Sequence, residues 1–488
     1  MKNQYIITLL LALLIITVSC EKVTDQVNPS GITPESFYKN ASDADAAIIS
    51  AYDAFQNPER YVLWGDARSD LLVQSDRSGI NELQLAKGDV NSSNPYAAWD
   101  NMYNAIKRAN SVLKNVPLIN DASLDIGNKR ARIMGEAYFL RALAYFYLVR
   151  TFDNVPLILE PYESLNQDLY PKQAAPAEVY AQIEKDLIAA SPRLADLPYG
   201  TNVQQNKGRA TKGAVRSALT DLYLWNKNYQ KAADTALAVI NSPANYTLVS
   251  GANYGNMFNT ATENSSESIF EIQITYANNF EGLGARGQNT NGLVNMFLPL
   301  AANGFAGGDY VIRPSDKLMN AFSGNDLRRA ATFGNTGPIP NTPPFRDANL
   351  PYVSKYMGTV TTSGGAIVRY TDANQIIYRL ADVILMRAEA LNELGGTGTF
   401  TAITLLNSIR SRAGLLPTTA LDQSEVRLAI ENERFLELAF EGKRYFDLKR
   451  TGRYAAVTGN PNANWLRWPI INTELPPLNP NIIQNPGY

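Results

Sequence analysis

The fold of this chain is decided by a segment in its C-terminal part, which reads Tyr378-Arg-Leu-Ala-Asp-Val-Ile-Leu-Met-Arg-Ala-Glu-Ala-Leu-Asn-Glu-Leu-Gly395. Apolar or small residues recur within it at positions 381, 384, 388 and 391, which is the spacing of one helical face. Gly395 and Gly396 can adopt the positive φ that ends a helix, and a second stripe runs from Ala402 to Ala413 before Gly414. The segment therefore predicts two antiparallel helices joined by a short loop.

A third helix is predicted from Glu425 to Phe440, where charged residues flank an apolar strip. Within it Arg434 can face Glu437 at i,i+3, and further along the chain Lys443 can face Asp447 at i,i+4. These spacings predict two local ion pairs.

Three stretches in this half of the chain carry a family resemblance. They are Tyr378 to Gly395, then Leu406-Asn-Ser-Ile-Arg-Ser-Arg-Ala-Gly414, then Glu433-Arg-Phe-Leu-Glu-Leu-Ala-Phe-Glu-Gly-Lys-Arg-Tyr-Phe-Asp-Leu-Lys-Arg450. They resemble the C-terminal half of the SusD/RagB family, which comprises surface-anchored nutrient-binding lipoproteins of Bacteroidetes-type bacteria. The closing residues Trp468-Pro-Ile-Ile471 and Asn479-Pro-Asn-Ile-Ile-Gln-Asn-Pro-Gly-Tyr488 resemble that family's usual C-terminus, with Ile471 in place of a common second proline.

The resemblance implies a mostly α-helical fold, in which a tetratricopeptide-like scaffold of helical hairpins (the SusD-like α-α superhelix) carries an irregular, loop-rich insert. It also implies a non-catalytic protein without cofactor, which captures oligosaccharides or other polymer fragments at the cell surface. Such a protein delivers its ligand to a SusC-like TonB-dependent transporter in the outer membrane. Peptide-binding RagB-like relatives keep a peptide ligand open as an alternative.

The composition of the 488 residues limits the possible chemistry. A formal net charge of −2 and a pI near 5.6 provide no basic field for a phosphate backbone, so nucleic acid is not expected as a partner. The chain has no histidine, which excludes Ser-His-Asp and Cys-His nucleophiles and the common histidine zinc sites. Any catalysis would have to rest on carboxylates or lysine.

The N-terminus has the pattern of a secretory signal. Lys2 supplies a positive start, an apolar run extends from Ile6 to Val18, and Ser19 precedes the only cysteine of the chain, Cys20. The ending resembles a bacterial lipobox, although Thr17 occupies a position that is most often leucine. We therefore expect a lipoprotein signal peptide over residues 1–19, lipid on Cys20 and a tether over residues 20–40, which would anchor the protein at the outer membrane, exposed on the cell surface. The alternative is an ordinary secretory signal with an incidental cysteine.

Residues 41–240 are predicted to form an N-terminal helical part. Its first helix begins near Ser42 or Asp43 and carries Ala46, Ile49 and Phe55 on its apolar side, and a turn is predicted over residues 64–70. A further helix runs from Tyr96 and carries Trp99, which is expected in the core. Further stripes predict helices over residues 129–150, 177–194, 211–225 and 229–240, so that with the C-terminal pair about four hairpins of tetratricopeptide type emerge.

The insert, residues 241–372, interrupts these hairpins, and residues 373–488 form the C-terminal helical part and tail. The insert contains one alternating stretch typical of a strand, Ser268 to Tyr276, and many Gly, Asn and Thr residues. Sugar rings stack on aromatic side chains and need amide or guanidinium partners for their hydroxyls, so this segment is the predicted ligand site. The candidate binding residues of the insert are Tyr276, Phe280, Arg286, Phe297, Phe305, Tyr310 and Phe345. The alternative for each ring is a place in the insert's own small core. Trp64, in the predicted turn over residues 64–70, is an added candidate because the family resemblance implies that this turn lies near the binding face.

Two other patterns point to different functions. Gly282-Leu-Gly-Ala-Arg-Gly287 matches a dinucleotide fingerprint, but a polar loop follows where that site requires a helix, so the motif is rejected.

Glu433, Glu437 and Glu441 share a helical face and raise the alternative of a carboxylate-dependent glycosidase on a helical scaffold. Ion pairing of these glutamates with Arg434 and Arg444 is the favoured interpretation, and a purely structural surface protein is a third possibility. No metal-binding motif is found.

Overall fold

The computed structural model describes residues 33–56, 58–163, 167–274, 292–299, 308–335, 350–363, 366–369 and 372–488. Most of these residues are helical. The helices are α1 Pro34–Phe37, α2 Ala41–Asp53, α3 Pro58–Asp66, α4 Ile80–Lys87, α5 Asp100–Asn115, α6 Lys129–Phe152, α7 Pro176–Ala190, α8 Val203–Gly208, α9 Lys212–Trp225, α10 Tyr229–Ile240, α11 Leu293–Phe297, α12 Asp316–Ala321, α13 Arg329–Thr332, α14 Leu380–Leu394, α15 Thr397–Arg412, α16 Gln423–Glu437, α17 Arg444–Thr451 and α18 Tyr454–Thr458.

Four helical hairpins form the scaffold, and they confirm the predicted tetratricopeptide-like fold. They are α2 with α5, α6 with α7, α9 with α10, and α14 with α15, each packed along its length. The third hairpin also packs on the fourth, because α10 lies against α14. Local sequence sets the helix ends: the side chain of Thr211 accepts the backbone N–H of Ala214 to cap α9, and Asn228 caps α10 in the same way through Lys231.

In the first hairpin the predicted apolar stripe was wrong at Ala46 and Ile49, which are exposed, and correct at Phe55, which is buried. Helix α2 begins after Asn40, whose side chain accepts the N–H groups of Ser42 and Asp43, so neither of these two is the cap. The buried face carries alanines and Ile48, whereas Ile49 is 55% exposed. The stripe is shifted by one position because alanine, not only larger apolar residues, fills this close helix contact.

The strands are short and form pairs. They are β1 Leu72–Gln74, β2 Val155–Pro156, β3 Gln173–Ala174, β4 Ser268–Ile272, β5 Ile312–Pro314, β6 Phe333–Asn335, β7 Pro351–Val353, β8 Val360–Ser363, β9 Ala366–Arg369 and β10 Gln375–Arg379. The antiparallel pairs are β1 with β5, β2 with β3, β4 with β10, β6 with β7, and β8 with β9. The stretch predicted as a strand from residue 268 is β4.

The β4–β10 pair joins the insert to the fourth hairpin. Gln375 pairs with Ile272 and Arg379 with Ser268, and all residues of both strands are buried. The predicted helix at Tyr378 therefore begins two residues later than expected, at Leu380, since Tyr378 and Arg379 belong to β10. The chain passes from the insert's strand directly into the helical scaffold.

Helix α3 extends to Asp66 and so includes the first three residues of the turn predicted over 64–70, whereas residues 67–70 form a turn as predicted. The helix packs against α17. At its end the carboxylate of Asp66 accepts the backbone N–H groups of Gly442, Lys443 and Arg444 at 2.8 to 3.1 Å. Lys443 and Arg444 are the N-cap and first residue of α17, whose N–H groups a helix start leaves unpaired, so Asp66 fixes the beginning of α17 from a distant part of the chain. Within the described ranges, no helix has the length and apolar character needed to cross a membrane.

Candidate functional site

The predicted binding residues divide into two groups. Five lie outside the described residues, as do Cys20 and the rejected glycine motif, and their assignment stays a prediction. These five are Tyr276, Phe280, Arg286, Phe305 and Phe345. They belong to three segments, residues 275–291, 300–307 and 336–349, whose flanking residues are described.

The residues on the two sides of segment 275–291 contact the same place, which is the loop before α3 and the first turn of α3. On one side the side chain of Gln56 donates to the carbonyl oxygen of Gln273 at 2.8 Å. On the other side Gly292 lies against Glu59, where an added Cβ would meet Oε2 at 1.9 Å. Burial raises the pKa of the Glu59 carboxyl, while Arg60 and the backbone N–H of Gly292 partly offset the rise. The segment thus begins and ends at one place on the scaffold.

The residues that flank the other two segments meet at Tyr310. The N–H of Gly308 donates to the oxygen of Pro299 at 2.7 Å, so the two ends of segment 300–307 touch. Segment 336–349 connects β6 to β7, where Asn335 pairs with Pro351. The Tyr310 hydroxyl donates to the oxygen of Pro351 at 2.8 Å and so links the two places. Segments containing Phe305 and Phe345 therefore start from neighbouring points.

A layer of four short strands supports this region. β1 pairs with β5, β6 pairs with β7, and β5 contacts β7 between them. The N–H of Ser315 donates to the oxygen of Leu71 at 2.8 Å, which extends the β1–β5 pairing by one hydrogen bond toward the turn that follows α3. Its exposed groups include Arg77, whose Nε donates to the oxygen of Asp309 at 3.0 Å, and the half-exposed ring of Tyr352. The layer thus offers a polar edge beside Tyr310.

Three predicted binding residues lie in the interior, which corrects their assignment as exposed stacking platforms. Trp64, Phe297 and Tyr310 are 0%, 0% and 2% exposed. The Trp64 indole N–H donates to the oxygen of Tyr96 at 2.8 Å, and its ring meets Phe152 edge to face. A ring buried on both faces has no face free for a sugar.

The other two of these rings are structural anchors of the insert. Phe297 stacks near Tyr356 at 6.1 Å between ring centres and lies the same distance from Phe440, which joins α11 to the region after α16. The carbonyl oxygen of Tyr310 accepts the hydroxyl of Ser75, so the tyrosine is held at both its backbone and its hydroxyl. Trp99, predicted as core, is 3% exposed, which confirms that prediction.

The glutamates that raised the glycosidase alternative form the centre of a buried ion network. Arg379 on β10 donates to Glu437, to both oxygens of Glu441 and, at 2.7 Å, to Glu267. All four side chains are at most 2% exposed. Further cations surround the same carboxylates: Arg328, Lys355, Arg410 and Arg412.

The partners of these charges differ from the predicted ones. Arg434 does not pair with Glu437; it contacts Asp447 at 2.8 Å and Asp382 at 2.9 Å. Lys443 does not pair with Asp447 and instead contacts Asp382 at 3.0 Å. Arg444 was predicted to form an ion pair with the glutamates of α16 and the loop that follows it, but it pairs with Asp70 at 2.8 Å. Ion pairing of the glutamates was predicted correctly, but through the wrong cations.

The network leaves its carboxylates poorly suited to acid–base catalysis. Burial alone would raise the pKa of Glu437, but Arg412, Arg379 and Arg328 outweigh it and hold that pKa well below its usual range. Burial would also raise the pKa of Glu441, but the charges of Arg379 and Lys355 outweigh this effect, so the pKa of Glu441 is lowered. A general acid needs a raised pKa and access to its substrate, and Glu437 and Glu441 have neither. Burial raises the pKa of Glu433, but this side chain is 0% exposed and is bound by Arg328 at 2.6 Å and Arg410 at 3.1 Å, so a substrate has no access to it. Among the described residues, no group of three or more Asp, Glu, His or Cys side chains is placed to hold a metal ion.

Comparisons with known proteins agree with this architecture. A family model described as "SusD family" matches residues 329–465, and a model described as "Starch-binding associating with outer membrane" matches residues 36–224. SusD-like protein P2 of Formosa agariphila is 30% identical over an alignment that covers 100% of both chains. A SusD-like protein of Bacteroides ovatus is 25% identical over 93% of this chain and 83% of its own.

Solved structures show the same fold. A protein described as a laminarin binding SusD-like protein is 31% identical, covers 92% of this chain and 100% of its own, and superposes with a TM-score of 0.79. Surface glycan-binding protein A from Bacteroides thetaiotaomicron, solved in complex with laminarihexaose, has a TM-score of 0.75 over 92% of this chain and 100% of its own. At 22% identity, this second likeness concerns the fold alone.

Proposed function

The chain belongs to the SusD family, and on that basis we propose that it is a non-catalytic surface protein that binds a glycan and delivers it to a SusC-like TonB-dependent transporter. The observation that carries the proposal is the full-length similarity to SusD-like proteins together with the anchored insert. The hairpins provide a rigid scaffold, and three insert segments start from two places fixed on it. Loops held by a rigid scaffold are a common arrangement for ligand binding.

Laminarin is the first ligand to test. The relative at 31% identity is named for laminarin binding, and it covers all but a small part of this chain. The aromatic residues of segments 275–291, 300–307 and 336–349 would supply stacking surfaces, and the polar edge around Arg77 would supply donors for sugar hydroxyls. Peptide binding remains the second candidate for the ligand.

We expect binding without hydrolysis because the glutamates that could act in glycoside hydrolysis are buried and ion-paired. Glu437 and Glu441 are buried among cations, and their lowered pKa values keep them ionised as structural counter-ions. A carboxylate in this position would need to lose several partners before it could donate a proton. Glu433 has a raised pKa but is fully buried between Arg328 and Arg410, so the glycosidase alternative lacks an accessible acid in this cluster.

Association with the outer membrane is supported by the description of the family model that matches residues 36–224. Lipid on Cys20 would provide the attachment, because acyl chains contribute about 0.8 kcal/mol per buried CH₂. The protein would then stay close to the barrel to which it passes its ligand and would cover the barrel from outside.

The test uses the purified full-length protein in detergent and laminarin oligosaccharides. Calorimetry is expected to show binding, and incubation overnight is expected to release no new reducing ends. A SusC-like transporter encoded by the same organism should co-purify with the tagged protein from membranes. Hydrolysis that disappears in Glu437→Gln would contradict the non-catalytic proposal, whereas binding of a peptide library with no binding of glycans would favour the second candidate.

A further inference from the structure

A cavity lies on the helical scaffold, and none of its lining residues belongs to the insert. It measures about 190 Å³ and is formed by the turn between α9 and α10, the end of α14, and helices α16 and α17. Its lining residues are Leu224, Lys227, Tyr229, Glu389, Glu393, Arg427, Glu431, Arg434, Asp447, Arg450, Thr451 and Arg453. This composition is rich in charge but contains one aromatic ring.

The inner wall of the cavity is a closed set of ion pairs. Asp447 binds Arg434 at 2.8 Å and Arg450 at 3.0 Å, and Arg450 also binds both oxygens of Glu389. Arg434 and Arg450 are 5% and 4% exposed. These groups saturate one another, so the inner wall contributes shape and rigidity.

The outer wall keeps unused hydrogen-bond donors. Arg427 binds Glu393 through Nε and Nη2 at 2.6 and 2.9 Å, and Arg453 binds Glu431 through Nε at 2.9 Å. Nη1 of Arg427 and both terminal nitrogens of Arg453 donate to no group in the part of the chain that the structure describes. These two arginines are 39% and 38% exposed, so a ligand can reach them.

Two further side chains of the cavity, Lys227 and Tyr229, also have hydrogen-bond donors without a partner among the described residues. The ammonium group of Lys227 forms no ion pair within the described ranges, and its backbone is held at φ 58° at the edge of the cavity. The hydroxyl of Tyr229 likewise has no hydrogen-bond partner among the described residues, although Glu393 and Glu389 lie near it. The lining also has five cations against four carboxylates. Most of the unused hydrogen-bonding groups of the cavity are therefore donors, and they favour a ligand that carries an anionic acceptor.

The size of the cavity suits one ring of that ligand. Cavities of roughly 150 Å³ admit a six-membered ring the size of benzene, so about 190 Å³ has room for one substituted ring. The planar fork of arginine matches a carboxylate particularly well. The oxygens of Glu393 each accept a single N–H, which leaves lone pairs for ligand hydroxyls.

We propose that this cavity binds a single uronate, a sugar ring bearing a carboxylate, with the carboxylate between Arg427 and Arg453 and the ring hydroxyls on Glu393, Glu431 and Tyr229. The site is separate from the insert, so it would add recognition of an acidic sugar to the glycan binding proposed above. Its failure would leave that proposal untouched, because laminarin carries no carboxylate.

The experiment titrates the purified full-length protein with D-glucuronate at low ionic strength, where exposed charges are least screened. Arg453→Gln keeps one N–H for Glu431 and removes the free pair of donors, so glucuronate should bind about tenfold more weakly. Lys227→Asn, which suits the left-handed backbone, and Tyr229→Phe should each weaken it by about threefold. Lys107→Gln removes an exposed lysine on α5 and serves as the matched control, with no effect expected.

Glucose, acetate and sulfate complete the test. Weak or absent binding of all three supports a site that needs both ring and carboxylate. Sulfate or acetate bound as tightly as glucuronate would overturn the proposal in favour of a general anion site, and so would unchanged glucuronate binding in the three cavity variants. Thermal unfolding of each variant, expected to match that of the parent, separates lost binding from lost fold. Laminarin binding should be equal in all of them.

Discussion

Gly65 on α3 packs directly against the backbone of Gly442, which lies near the end of the loop that leads into α17. A Cβ added at Gly65 would lie 1.9 Å from the carbonyl oxygen of Gly442. A Cβ at Gly442, where φ is +73°, would in turn lie 2.6 Å from the oxygen of Tyr61. Two distant parts of the chain thus meet backbone to backbone, and Asp66 completes the contact by accepting the N–H groups of that loop.

Gly65→Ala is expected to lower the free energy of unfolding by about 3 kcal/mol, at the upper end of overpacking effects. The same change in an open helix would stabilise by about 1 kcal/mol, so the sign of the effect is diagnostic. Urea unfolding measures it. Gly324→Ala is the control, because a Cβ there meets nothing within 4 Å, and its effect should stay within about 0.5 kcal/mol. A neutral Gly65→Ala would show that the two backbones are further apart.

This contact illustrates which parts of the fold can be predicted from sequence. Helices α9 and α10 could be placed almost to the residue, since alanine stripes and cap residues are local signals. Trp64 could not be placed, because residues 64–70 contain Gly65 and several polar residues and so look like a turn. Gly65 is needed for the approach of a segment almost 400 positions away, which no local pattern reveals.

The ion pairs were missed for the same physical reason. Spacing rules select a partner three or four positions away, as with Arg434 and Glu437. In the folded chain Glu437 is reached by Arg379 from β10 and by Arg328 from the insert, which are 58 and 109 positions distant. Buried carboxylates require strong, well-aligned cations, and tertiary structure supplies better ones than the local helix does. The candidate binding residues of the three loop segments could be predicted only as a class, since loop aromatics carry no periodicity.

Removal of Arg379 is expected to destabilise the protein strongly. Arg379→Met leaves Glu267, Glu437 and Glu441 each without one partner in the interior, and breaking a buried pair costs about 3 to 5 kcal/mol. Chemical denaturation measures the change. The exposed pair of Arg108 and Asp53 is the control: Asp53→Asn should cost less than about 1 kcal/mol. Equal small effects in both variants would mean that the network is hydrated.

Glu263 should make the stability of the protein depend on pH between about 4.5 and 8. Burial and the nearby carboxylate of Glu271 raise the pKa of Glu263 to about 8, far above its value in an unfolded chain. The folded state therefore holds a proton that the unfolded state has lost, and stability falls as pH rises from about 4.5 to 8. Glu263→Gln should stabilise the protein at pH 8 by on the order of 1 to 3 kcal/mol and flatten the pH profile.

Unfolding experiments between pH 5 and pH 9 test this prediction. Glu160→Gln provides a control at an exposed carboxylate, where the profile should match that of the parent. A Glu263→Gln protein with an unchanged slope would show that Glu263 is ionised in the folded state.

Attachment to the membrane should depend on Cys20. Two or three acyl chains on this cysteine would hold the protein durably, at about 0.8 kcal/mol per buried CH₂. Cys20→Ala is expected to move the protein to the soluble fraction in a strain that lacks the transporter, whereas Ser19→Ala, which keeps a small residue before the cysteine, should not. Labelling with a radioactive fatty acid reports the lipid itself. Cys20→Ala that still sediments with membranes in that strain contradicts a lipid anchor.

The last prediction locates the glycan site by separating binding from stability. Alanine at Phe305 or Phe345, whose segments start beside Tyr310, should weaken laminarin binding by about 1 to 3 kcal/mol, by analogy with bases stacked on aromatic rings. A ring that serves as a stacking surface contributes little to folding, so the melting temperature should hardly change. Trp64→Ala and Trp99→Ala are the opposite case, since both rings are buried and a large-to-small change in a core costs about 3 to 5 kcal/mol of stability.

Calorimetry and thermal unfolding on the same samples sort each variant into one class. Tyr276, Phe280 and Arg286, in the segment that starts at Gln56 and Glu59, are tested in the same way. Loss of binding at Phe305 and Phe345 but not at these three would place the ligand beside Tyr310, because the two groups of segments start from separate places on the scaffold. If all five variants melt early and bind normally once folded, their side chains belong to the core of the insert and the glycan binds elsewhere.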